Sequence, residues 1–113
     1  MSAVAPADNW LTIAGQAVGA GEVRASPAGV LIGRFLLDHH SGQIEAGFPR
    51  EARCRIPVIA CGESLADAAR RLLPGMPVRV QGFISRANSR EGEYRLVLHA
   101  AHIDVLNTES FED

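Results

Sequence analysis

Residues 62–84 read GESLADAARRLLPGMPVRVQGFI, and the change of period inside them decides the fold. Leu65, Ala68, Ala69 and Leu72 recur three or four apart, which makes one apolar stripe of a helix. Ser64 can cap that helix, with Asp67 three residues later in the manner of a capping box. Pro74-Gly75 closes the window, so the helix is expected within Gly62–Leu73. Val78, Val80, Gly82 and Ile84 then alternate with Arg79, Gln81 and Phe83, the period of two that marks a strand.

Strand signals flank this pair on both sides. Trp10–Gly21 (WLTIAGQAVGAG) carries β-branched residues with Gly15, Gly19 and Gly21, which predicts a strand that bulges or bends as at a barrel corner. Ser26-Pro27-Ala28-Gly29 is a turn signal, because Pro suits its second position and Gly tolerates positive φ. Val30–His40 reads as a second, well-covered strand, Ser41–Gly47 as a polar loop, and Phe48–Ala60 as a third strand. Arg86–Gly92 is a charged hairpin tip, and Tyr94–Leu106 the last strand, with Val97, His99, Ala101, Ile103 and Val105 expected on one face. There is no internal repeat. The order β-β-β-α-β-β, with one short helix between strands three and four, is that of an all-β, five-stranded OB-fold barrel. A β-sandwich would want about seven strands and no helix.

A chain of 113 residues supports one core. With 47% apolar and 21% charged residues it has a globular composition. The net charge is −2, and all 11 basic residues are Arg. Asp104, Glu109, Glu112 and Asp113 gather at the C-terminus and Asp8 lies in the N-terminal segment, which leaves a body of 11 Arg against 8 acids, about +3. We expect a frayed segment over residues 1–8, the OB-fold domain over 9–106 and an acidic tail over 107–113. The N-terminus has no basic stretch followed by an apolar run, so no signal peptide or membrane span is read, and the expected compartment is the cytoplasm. Cys54 and Cys61 lack C-x-x-C spacing and are expected to be free, acting as small buried hydrophobes.

Several segments carry a family resemblance. His39, the run Glu45-Ala46-Gly47-Phe48-Pro49-Arg50, Cys54 and Pro57-Val58-Ile59 resemble the primosomal replication protein N (PriB) family. So do Val80-Gln81-Gly82-Phe83-Ile84-Ser85 and Leu96-Val97-Leu98-His99-Ala100. The resemblance covers roughly Asn9 to Leu106. It implies an OB-fold homodimer related to bacterial single-stranded DNA-binding proteins. It further implies binding of single-stranded DNA without marked sequence preference, and action with the PriA helicase and other primosome proteins in restart of stalled forks. No catalysis, cofactor or membrane partner is implied. Carried over by position, Phe48 and Arg50 fall on the DNA-binding face, Arg24 on a commonly basic position, and Arg90 and Arg95 on basic positions of the last hairpin. Arg53 stands where well-known members have a stacking Trp, and Asn88 where they have Lys.

The chemistry fits these positions. Sequence-tolerant binding of a single strand needs cations along the backbone and π-faces for bases. Phe48 offers such a face, though an aromatic also serves core or dimer packing. A guanidinium plane can stack on a base and pair with phosphate, so Arg53 can partly replace an aromatic. Alternation sends Arg53 and Arg55 to one face and Arg50 to the other, unless a bulge brings all three round. Arg86, Arg90 and Arg95 are offset by Glu91 and Glu93, as in a charged tip that only guards a sheet edge. Trp10 opens the first strand and suits core or dimer packing. His99 and His102 are three apart on a strand, on opposite faces by alternation, which argues against a metal site. No nucleophile elbow, zinc-protease helix or phosphate loop is present, so no catalytic residue is expected. The competing reading is a protein-interaction adaptor whose basic face docks on the helicase with little DNA affinity of its own.

Overall fold

The structure is a computed structural model, and it describes residues 7–87 and 95–106. Its elements are β1 (Leu11–Ala25), β2 (Leu31–Glu45), β3 (Phe48–Cys61), α1 (Glu63–Arg70), β4 (Pro77–Arg86) and β5 (Leu96–Val105). The strands close a barrel in the order β1-β2-β3-β5-β4, the OB-fold expected from the sequence. All neighbours are antiparallel except β3 and β5, which join through the parallel pairs Val58↔Leu98 and Ile59↔His99.

β1 is long enough to serve two partners. Leu11–Gln16 pair with β4. Gln16–Val18 and Glu22–Ala25 pair with β2, and the register shifts across the glycine-bearing stretch between Val18 and Glu22. That is the predicted bulge. The Ser26–Gly29 turn also forms as its residues dictate: Gly29 N–H donates to Ser26 O at 2.8 Å, and Gly29 has φ 86°.

Apolar residues at alternate positions fill the barrel. Leu37, Val58, Val78, Val80 and Leu98 are fully buried, each stabilising by about 1.5–3 kcal/mol relative to exposure. α1 lies across β1 and β2 and presses Ala66 and Ala69 against them. The approach is so close that a Cβ on Gly33 would come 2.7 Å from the Ala69 Cβ. After the helix, Leu72 N–H donates to Ala69 O, a tightened last turn that ends α1 at Arg70, short of Leu73, and buries Leu72 completely.

Several sequence expectations change here. Gly62, not Ser64, occupies the N-cap, and α1 has no side-chain cap. The Gly62 N–H is bonded to Leu31 O at 2.8 Å, which fixes where the helix starts. Asp67 instead binds Arg70 and Arg71, and the Arg70 hydrogen bond is the main reason its carboxyl sits below the usual range. Ser41–Glu45 is strand rather than loop, because β2 and β3 stay paired without a break to Glu45↔Phe48. Only Ala46 (φ 52°) and Gly47 (φ 83°) form the turn, as a two-residue hairpin with positive φ at both centres requires. The stretch is polar because the hairpin projects past the barrel and both its faces meet solvent.

The register of β5 also differs. Gln81 pairs with His102 but Gly82 with Ala100, so Ala101 is an extra residue in a bulge. Leu98 and Ala100 therefore face inward before it, and Ile103 and Val105 after it. His99 and His102 end on the same outer face, which removes the alternation argument against their convergence. Each is engaged separately: His99 stacks with Phe83 at 4.6 Å and bonds Ser85, while His102 meets the edge of Trp10 at 6.3 Å. Cys54 and Cys61 are free but exposed, since one lies on the projecting hairpin and the other at the end of β3.

Candidate nucleic-acid interface

Paired residues of an antiparallel ladder share a face. In the β2–β3 hairpin, the pairs Phe35↔Val58 and Leu37↔Ile56 point into the barrel, so Cys54, Ala52, Arg50 and Phe48 continue that inner face outward. The outer face carries Arg34↔Ile59, Leu36↔Pro57, Asp38↔Arg55 and His40↔Arg53. β1 extends it, with Glu22 opposite Arg34 and Arg24 opposite Ile32.

The unbroken register excludes a bulge that would bring Arg50, Arg53 and Arg55 together. Arg24 and Arg53 share the outer face, whereas Arg50 and Phe48 lie on the reverse side near the tip. Arg24 is opposite Ile32 and Arg53 opposite His40, eight residues further along β2, so the two ends span about 26 Å of strand. Between them a groove of about 220 Å³ is lined in part by Val18, Leu36, Pro57 and Ile59, together with the charged Arg34 and Glu22. An apolar floor between guanidinium groups offers room for bases beside cations for phosphates. Phe48 is 71% exposed at the tip, so it takes no part in the core.

The cations differ in how far they are already satisfied. Arg55 binds Asp38 at 3.1 Å, Arg53 binds Glu51 at 3.3 Å, and Arg50 binds Glu45 at 3.1 Å. Arg24 and Arg34, on the barrel end of the outer face, have no ion pair among the described residues. The hairpin is fastened at its root by His39, whose Nδ1–H donates to Ala14 O at 2.6 Å. Its Nε2 lies 2.8 Å from Ser41 Oγ, which also accepts from Gln43 Nε2. This side chain bridges β1 and β2 just beyond their last backbone pair, Gln16↔Asp38.

Comparison with known proteins places this geometry. Residues 9–102 match the model of a family described as "Another single-strand binding protein family". The replication restart protein PriB of Serratia proteamaculans is 38% identical over 100 residues, covering 88% of this chain and 95% of the relative. The chain belongs to the PriB family. The PriB of Proteus mirabilis is 40% identical over 85 residues, 75% of this chain and 81% of its own. The solved structure of PriB from Ralstonia solanacearum superposes with a TM-score of 0.77 at 27% identity, covering 89% of this chain and all (100%) of that one. A deletion variant of the single-stranded DNA-binding protein from Thermus aquaticus has a TM-score of 0.73 at 22% identity, over 90% of this chain and 52% of that one. It shares the barrel.

Within this PriB-family chain, one further expected site residue lies apart from the hairpin. Arg95 is at the foot of β5, where its carbonyl accepts from Ala87 N–H at 2.8 Å. Arg90 and Asn88 are outside the described residues, as is the acidic tail over 107–113. Three residues escaped the sequence reading. Arg34 sits between inward Gly33 and Phe35, so alternation alone would have placed it outward beside Arg24. Arg55 belongs to the arginine cluster of the third strand but has no site role from the sequence, and His40 becomes relevant only through its register with Arg53.

Proposed function

We propose that this chain binds single-stranded DNA across the outer face of β1, β2 and β3 as an accessory protein of replication restart. The observation that carries this reading is the line of Arg24, Arg34, Arg55 and Arg53 on the strand 2–3 face that OB-folds use for oligonucleotides. Phosphates would follow the guanidinium groups, bases would rest on the apolar groove, and Phe48 would stack on a base where the strand rounds the tip. Arg50, Arg90 and Arg95 would add charge from the reverse of the tip and from the last hairpin.

The family resemblance supports a homodimer acting with the PriA helicase and other primosome proteins in the bacterial cytoplasm. Trp10, immediately before β1, and Phe83, on the outer face of β4, are exposed and suited to a subunit contact. The role is binding rather than catalysis. The OB domain over 9–106 carries it, with short flanking segments over 1–8 and 107–113. The ion-paired hairpin arginines favour the adaptor alternative, in which DNA affinity is slight and the helicase is the main partner.

Titration of a fluorescein-labelled oligo-dT at several salt concentrations, with a duplex control, separates the two. Preference for the single strand, with log K falling by about 0.7 per phosphate contacted against log salt, supports DNA binding. Replacing Arg24 and Arg34 together by Ala is expected to weaken it at least tenfold. Absence of binding at low salt would favour the adaptor.

A further inference from the structure

Glu51 is the one hairpin acid with two basic side chains beside it. Its Oε1 lies 3.3 Å from Arg53 Nη2 and its Oε2 3.5 Å from His40 Nε2, the latter an ion pair whenever the imidazole is protonated. All three side chains are on the outer face, and Glu51 stands opposite Gly42, which has no side chain to obstruct the carboxylate. With Asp38 holding Arg55, the outer face of the hairpin is charge-balanced. The barrel end of the same face has Arg24 and Arg34 against Glu22 alone.

Resting on the DNA-binding reading above, we propose that Glu51 is a built-in competitor for the phosphate backbone and sets the affinity of the hairpin. A carboxylate and a phosphate present similar acceptors to a guanidinium, so one displaces the other. The contacts of Glu51 are solvent-exposed, and exposed ion pairs are weak and screened by salt. A strand held first by Arg24 and Arg34 can therefore displace the carboxylate, whereas one that touches the hairpin alone meets cations already occupied. Engagement of Arg53 depends on prior contact at the barrel, which favours strands long enough to reach both.

The test is a double-mutant cycle with the full chain and labelled oligo-dT over a range of salt, using Glu51→Gln, Arg53→Ala and the two combined. Glu51→Gln is expected to tighten binding about three- to tenfold and to steepen the salt dependence by up to about 0.7, as one more phosphate contact becomes available. In the Arg53→Ala background most of that gain should vanish. An unchanged affinity on Glu51→Gln, or the same gain with and without Arg53, overturns the proposal. If wild type binds and the Arg24/Arg34 replacement weakens it while Glu51→Gln has no effect, only this inference fails. If neither wild type nor Glu51→Gln binds at low salt, the DNA-binding reading fails with it.

Discussion

The two halves of β2 and β3 live under different rules. From Leu31 to Leu37 and from Ile56 to Cys61 the strands form the barrel wall, where one face is sealed by the core and by α1. From His39 to Glu45 and from Phe48 to Cys54 the same strands run into solvent with no apolar layer beneath them. Burial dictates side-chain orientation in the first half. Register, His39 and a two-residue turn dictate it in the second. Stability therefore concentrates in the first half, which offers only its outer face to a ligand, whereas the second half offers both.

The comparison breaks most visibly in the core. Leu37→Ala removes a fully buried side chain and is expected to cost about 2–5 kcal/mol, read as a lower urea midpoint. If Leu37→Ala left the midpoint in place, the barrel half would not be the seat of stability. Phe48→Ala tests the other half. It should leave the midpoint unchanged and weaken oligo-dT binding by about 1–3 kcal/mol, the worth of one base stack. A lowered midpoint would instead make Phe48 a packing residue. The smallest effect belongs to the turn. Ala46 has φ 52°, which costs a residue with a Cβ about 1–2 kcal/mol, and Asn tolerates that region better. Ala46→Asn should raise the unfolding free energy by about 1 kcal/mol at most and leave DNA binding alone.

The same division explains what could be read from the sequence. Strand order, the helix and the inward positions of β4 were legible because each rests on a periodic contrast between buried and solvated residues. Ser41–Glu45 looks like loop in the sequence because a strand wetted on both faces has no such contrast. The face assignment along β5 failed for another reason: Ala101 looks like an alternating residue, and only its pairing with β4 reveals the bulge. The split of Arg50 from Arg53 followed from alternation, whereas the acids that hold them depend on cross-strand register. The capping box read at Ser64 does not form, because the helix starts two residues earlier, where Gly62 O accepts from Ala66 N–H.

The short seam between β3 and β5 has a consequence for coexistence with other copies of the chain. Pairing there involves Val58 and Ile59, so one backbone edge of β3 from Phe48 to Pro57 has no strand beside it among the described residues. An open edge of that length invites another chain to add a strand. Pro49 and Pro57 contribute no N–H to it, and Arg50, Glu51, Arg53 and Arg55 put a charge on most residues between. The charged run that suits this hairpin to a nucleic acid also keeps it from becoming a template for aggregation.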